Sequence, residues 1–408
     1  MKVLPIVASA VVLQIVTALV LIPLTDRARV LPTDFVNFYM GASIVARGQG
    51  PELYQRQTQD ASYEQLLHRE SNQYFLHPAY EAAALSPLTH LPLEQAFVLW
   101  TLINVGVLSL LPLLLINCVP LINAKPCLGM LVFCLLPCLT ALTLGQDSII
   151  LLFVISLTYL LLSRNRDLAA GFVLSLATIK FQYVLVLLPL LLLSRRFRLG
   201  AGFALGCSCL AVLSFWVTGW HGFVDYFNFL RAFQAHAGYG SMQPALMANA
   251  RGFAAGMEWS AQPFVLVMQS ILIGLGVAAA WASGFRRSDG LTFALFLMIS
   301  LGASPYAHFP DLTVAFLPIV LVVDHLGSVG LQSNIRKILL SCCIAMFLLP
   351  YALLLLGGHY WWNSRIYWMF PVQVLFIFGL TAEVFAFRGG AHPKSDGVGL
   401  EASPEAGA

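Results

Sequence analysis

Residues 168–193 read LAAGFVLSLATIKFQYVLVLLPLLLL. The stretch has the length of one membrane helix, near 20 apolar residues, yet it carries Lys180 at its middle. An isolated lysine at the bilayer centre costs about 2.5 to 3.5 kcal/mol on insertion. Two folds are open: one span with a buried charge, or a hairpin of two short helices turning at Lys180. The basic residues on either side decide between them.

Lys2 puts the amino terminus on the cytoplasmic side. The loop 25–93 then falls outside, Lys125 inside, Gly145-Gln146-Asp147-Ser148 outside and Arg164-Asn165-Arg166 inside, as the positive-inside rule requires. A single span over 168–193 would send Arg195-Arg196-Phe197-Arg198 outside, followed by Arg286-Arg287 and Arg336-Lys337. A hairpin returns all three clusters to the cytoplasm. Short helices broken at membrane depth survive only where protein buries them or they line a wet cavity. The hairpin therefore predicts a cavity.

Composition agrees with a membrane protein. The chain has 408 residues, 59% hydrophobic and 10% charged, with mean hydropathy +0.81, whereas soluble domains carry about 25% charged residues. A net charge of +3 gives no footprint for nucleic acid. The eight cysteines form no C-x-x-C pair and have no histidine spaced to join them, so they read as small buried hydrophobes.

Spans are expected at 3–24, 94–117, 199–218, 263–284, 311–327, 336–356 and 367–387, with shorter ones at 127–144, 147–163 and 290–303. The run at 3–24 exceeds the 7 to 15 residues of a signal-peptide core and reads as an uncleaved span. The fold expected is an all-α integral membrane bundle of about twelve segments, both termini cytoplasmic. Residues 1–388 form one membrane domain with outer loops at 25–93 and 219–262, and 389–408 form a disordered cytoplasmic tail.

This topology collects the uncommitted polar residues at the outer face. Asp34 opens DFVNFYMGASIVARGQGPELY (34–54), in which a short helix runs from Phe35 to Arg47 and ends at Gly48, Gly50 and Pro51. Its carboxylate reads as an N-cap or as a base that takes a proton from a hydroxyl. His77 to Leu93, with three prolines, reads as an amphipathic piece along the membrane surface. Gln146 and Asp147 form a tight turn that caps the helix from Ser148 or lines a site. Lys180 snorkels to the surface or meets a lipid phosphate. In SPYAHFPD (304–311), Tyr306, His308 and Asp311 read as a polar turn or as phosphate and sugar contacts. Arg251, His359 and Arg365 are outer-loop cations, beside an aromatic belt at Tyr360-Trp361-Trp362. No Gly-rich phosphate loop, Ser/His/Asp set or H-E-x-x-H occurs in a usable context, so no cofactor is implied and no metal is demanded.

Several stretches in order carry a resemblance. They are Asp34-Phe35 with Tyr39, Ala42 and Gly48 to Tyr54; His77-Pro78 through Leu85-Ser86-Pro87-Leu88 to Leu99-Trp100 and Asn104; Leu144-Gly145-Gln146; Ala170-Gly171 to Ile179-Lys180; and Ser304-Pro305-Tyr306 with His308 and Asp311. Together they resemble the family-87 glycosyltransferases, membrane enzymes of the GT-C fold that move mannose from a polyprenyl-phosphate carrier. Two positions depart from that pattern: His77-Pro78 stands where the family has Tyr-Pro, and Lys180-Phe181 where it has Lys-Pro.

The resemblance implies that Asp34 is the general base and that Lys180 and His308 meet the carrier phosphate; the outer-loop cations Arg251 and Arg365 are read beside it as further phosphate contacts. It leaves Tyr39, His77, Gln146, Asp147, Tyr306, Asp311 and His359 as substrate contacts. The reaction implied is an inverting single displacement. Phosphate is a good leaving group, so one carboxylate suffices where a glycosidase needs two. A divalent ion shared by Asp34, Asp147 and a substrate phosphate is allowed but not required. Partners implied are the polyprenyl-phosphate sugar, a lipid or glycan acceptor and membrane lipids, with no nucleic acid. The location implied is the inner (plasma) membrane, with the site facing the periplasm or exterior. The rival readings are a transporter or flippase for a lipid-linked saccharide, which would show two related halves, and a non-catalytic scaffold.

Overall fold

The structure, a computed structural model, describes residue 30 and residues 32–68, 74–235, 244–282, 289–357 and 365–389. The expected span at 3–24, Arg286-Arg287, His359 with the adjoining aromatic cluster, and the tail lie outside the described residues.

The first outer loop builds a core of its own. Helices α1 (Phe35–Ala46), α2 (Arg56–Leu67) and α3 (Ala79–Leu85) bury Phe35, Leu53, Tyr63 and Phe75 together with Trp100. Gly41 lies so close to the Phe75 ring that a Cβ there would meet it at 2.6 Å. Within this core the Gln59 amide donates to the Leu53 carbonyl at 2.8 Å and accepts from the Phe75 N–H at 2.9 Å, so the buried polar group is satisfied at both ends. The surface-lying piece expected at 77–93 is corrected here. Ala79, Tyr80, Glu81, Ala82 and Leu85 are buried, because α3 is wedged between α1 and a long membrane helix.

The membrane part follows as α4 (Leu93–Leu115), α5 (Leu136–Leu144), α6 (Ser148–Ser163), α7 (Asp167–Ser175), α8 (Phe181–Leu193), α9 (Phe197–Ala235, two helices joined at a break at Gly219, φ 64°), α10 (Ala250–Gly256), α11 (Ala261–Ala282), α12 (Gly290–Ala303), α13 (Phe316–Val329), α14 (Asn334–Leu356) and α15 (Met369–Gly389). No strand occurs among the described residues. The α12 and α13 helices are buried along most of their length, whereas α9 and α14 present Val212, Trp216, Leu348 and Leu356 outward. An exposed apolar girdle of this kind is stable only in a lipid solvent. Among the described residues, seven helical stretches are long and apolar enough to cross a membrane, or eight if Pro126–Cys134 and α5, bent by 59°, make one span. That is fewer than the expected twelve segments: α6 and α12 have 16 and 14 residues, short of the roughly 20 a straight span needs.

Residues 167–193 satisfy length and apolarity for one span, but their ends meet. Arg196 Nη1 donates to Asp167 Oδ1 at 2.7 Å, whereas a straight helix of that length would hold the ends about 40 Å apart. The chain doubles back through a 3-10 turn at Leu176–Lys180. The start of α9 then runs beside α7 at glycine distance: a Cβ on Gly171 would lie 1.9 Å from the Leu199 carbonyl, and one on Gly202 1.9 Å from the Leu168 carbonyl. Such close backbone approach is how membrane helices gain contact where lipid is as apolar as leucine.

Candidate active site

Three turns and one short helix converge on the tip of the hairpin. Lys180 ends its 3-10 turn, the α5–α6 turn brings Gln146, Asp147 and Ser148, the 304–311 turn brings Asp311, and α3 brings Tyr80, whose hydroxyl lies 3.0 Å from that of Thr178. Lys180 Nζ donates to Ser148 Oγ at 2.9 Å, Gln146 Oε1 at 3.1 Å and Asp311 Oδ1 at 2.5 Å. An ammonium has three hydrogens, and all three are used. Asp147 Oδ1, 2.8 Å from the same nitrogen, is therefore held as an ion pair only, and neither of its oxygens has an aligned hydrogen-bond donor.

Asp311 is the most fully bonded carboxylate. Besides Lys180 it accepts from Ser148 Oγ at 2.8 Å, Tyr183 OH at 2.8 Å and the His308 N–H at 3.0 Å. With its lone pairs committed it fixes the turn, and it is not free to bind a sugar as the sequence reading had it. Lys180, buried and neutralised, also differs from the expected free phosphate contact. One of its hydrogens would have to leave a protein acceptor first.

Asp34 precedes α1, but its side chain makes no cap bond. Its Oδ2 accepts instead from Gln146 Nε2 at 2.6 Å, and the same amide takes a Lys180 hydrogen on its oxygen. The cap reading is thereby corrected, and so is that for Asp147, which precedes α6 without capping it. Asp34 and Asp147 have different direct partners, Gln146 for one and Lys180 and His77 for the other. Burial pushes the Asp34 carboxyl above the ordinary carboxylate range, against the pull of Gln146, His308 and Lys180. Burial likewise holds the His308 imidazole below its usual value, which favours the neutral ring beside Asp34.

His77 lies on the other flank, Nδ1 2.8 Å from Glu81 Oε2 and 3.6 Å from Asp147 Oδ2. Burial disfavours its imidazolium, but the two carboxylates outweigh burial and raise its proton affinity; burial also raises that of Glu81. Arg251, near the start of α10, stands over the Tyr306 ring at 5.4 Å, and Met247 pairs with His308 across a β-bridge. Tyr39 is turned away: its hydroxyl is spent on the Leu91 carbonyl at 2.8 Å. Arg365 is exposed at the start of the last helix with a left-handed backbone, φ 52°. The sequence reading missed Glu81, Ser148 and Tyr183; the one signal available was Glu81, four residues after His77 in an apolar stretch.

Residues 75–305 match the profile of Glycosyltransferase family 87, more than half of the chain. The protein belongs to that family. No curated protein and no solved structure matches it. As a family-87 glycosyltransferase it is a membrane enzyme of sugar transfer, and the hairpin, the Gln146 turn, His77 and Arg251 fall inside the matched residues. Asp34, Tyr306, His308, Asp311 and Arg365 fall outside them, so their roles rest on geometry.

Proposed function

We propose that this glycosyltransferase moves a hexose, mannose in our reading, from a polyprenyl-phosphate sugar to a lipid or glycan acceptor at the outer boundary of the inner (plasma) membrane. The observation that carries the reading is Asp34. Its carboxylate is released from helix capping, oriented by Gln146 at 2.6 Å and made more basic by burial, as a general base requires. The acceptor hydroxyl gives its proton to Asp34 while its oxygen bonds to the anomeric carbon. The bond from that carbon to the phosphate oxygen breaks, and polyprenyl phosphate leaves with the electron pair. His308 and Arg251 flank the same space and supply donors for the leaving phosphate, with Lys180 holding the turn that carries Gln146.

In this reading both termini are cytoplasmic, and the twelve segments are the span expected at 3–24, the six described spans other than 167–193, the two hairpin arms, the bent pair taken as one, and the short helices α6 and α12. The test is transfer of label from polyprenyl-phosphate mannose to a membrane-lipid extract. Asp34→Asn should lose about 10²- to 10⁴-fold in rate, the usual worth of a general base, while eluting as a folded protein. A folded Asp34→Asn enzyme of undiminished rate overturns the base; a wild type inert with this donor overturns the donor.

A further inference from the structure

Beside Lys180, on the far side of Asp147, three ligand-bearing side chains meet. His77 Nδ1, a Glu81 carboxylate oxygen and an Asp147 carboxylate oxygen all lie within 4.8 Å of one another. Ligands about 2.0 to 2.2 Å from one ion stand about 3 to 4.2 Å apart, neighbours closest; the separation of 3.6 Å from Nδ1 falls in that range and that of 2.8 Å just under it.

The atoms are also orphaned. His77 Nδ1, Glu81 Oε2 and both Asp147 oxygens are buried without a hydrogen-bond partner, and the Glu81 and Asp147 side chains are only 8% and 2% exposed. Nδ1 and Oε2 are close enough for a hydrogen bond yet not aligned for one. Buried polar atoms in such a state call for a partner, and the Lys180 ion pair at Asp147 Oδ1 leaves Asp147 Oδ2 and Glu81 Oε2 without an aligned donor.

We propose that His77, Glu81 and Asp147 bind a divalent first-row metal ion, Mn²⁺ or Zn²⁺, with Asp147 shared between the ion and Lys180. The imidazole suits borderline Zn²⁺ and the two carboxylates suit Mn²⁺, whereas Mg²⁺ and Ca²⁺ take all-oxygen shells. The Asp147 oxygen facing Lys180 remains in its ion pair, so the ion and the ammonium are held by one carboxylate, as the outer partners of metal ligands commonly are.

The test reads binding directly and uses no donor, so it stands apart from the transfer reading. Full-length enzyme in detergent is stripped with chelator and titrated with Mn²⁺, free ion being followed by electron paramagnetic resonance, with Zn²⁺ measured by elemental analysis. One equivalent of one of the two ions should bind, and pulsed resonance of the Mn²⁺ form should show nitrogen coupling that His77→Gln abolishes. Glu81→Gln and Asp147→Asn should weaken binding tenfold or more, whereas Asp34→Asn should bind as wild type does. Monodisperse wild type that takes up neither ion overturns the site. So does binding undiminished in Glu81→Gln, and the cluster is then an imidazolium clamped by two carboxylates.

Discussion

Gln146 donates a hydrogen bond to Asp34 at 2.6 Å and so bears on the proton affinity of the proposed base. Burial raises the carboxyl above its ordinary 3.8, and the Gln146 hydrogen bond lowers it by favouring the ionised form. A base works deprotonated, so transfer should rise with pH through the raised Asp34 value and then level off. Gln146→Leu removes the donor, leaves burial in place and should move that acid limb of kcat/KM to higher pH. A limb that stays where it was in wild type would show that Asp34 does not govern the rate. These residues were legible only one at a time. Asp34, Gln146, Asp147, Lys180, His308 and Asp311 stand out as polar residues at the ends of apolar runs. Asp34 and Gln146 are nevertheless 112 residues apart, and no local pattern says that a carboxylate at a helix start turns to a distant amide instead of its own backbone. Glu81 was missed because a glutamate in a proline-bounded amphipathic stretch looks solvated until α1 and α9 close over it.

Elements were legible where charge or apolar length constrained them. The hairpin followed from Lys180 and the arginines flanking it, because a misplaced cluster costs more than a broken helix. The core of the first outer loop did not show. Helix α2 is RQTQDASYEQLL, polar in composition, and its inward face of Gln59 and Tyr63 is recognisable only once Leu53 and Phe75 are beside it. The hairpin's packing on α9 rests on glycine, and this gives a paired prediction. Gly202→Ala puts a methyl 1.9 Å from the Leu168 carbonyl, which backbone cannot yield, and should cost about 1 to 3 kcal/mol as overpacking does. Gly274, in α11, has open space where its Cβ would be. Gly274→Ala should leave stability equal or raise it by up to about 1 kcal/mol, the helix-propensity difference. Thermal unfolding in detergent compares the two, and equal midpoints would mean that α7 and α9 are not in contact.

At the scale of the molecule, polar residues divide between two ends. One end gathers the site: the Gln146 turn, Lys180 and the His308 turn. The other gathers Arg164, hydrogen-bonded to Asn117 at 3.2 Å, and Arg196 with Asp167; Asn165, Arg196 and Asp289 line one cavity there, of about 260 Å³. Basic residues retained on one side are what sets orientation during insertion, and on that rule we propose that the basic end is cytoplasmic and the site faces outward. Single cysteines test this in the full-length chain, with exposed Cys127, Cys134 and Cys209 first replaced by serine. Asn165→Cys, Arg195→Cys and Asp289→Cys should resist a membrane-impermeant thiol reagent in intact cells and react after permeabilisation, while Pro305→Cys, exposed beside the His308 turn, should react in intact cells. Asn165 and Arg195 labelled from opposite sides would make 167–193 a single span and break the Asp167–Arg196 contact. All four reversed would keep the hairpin and turn the site to the cytoplasm, where the basic end would then lie against the rule that placed it.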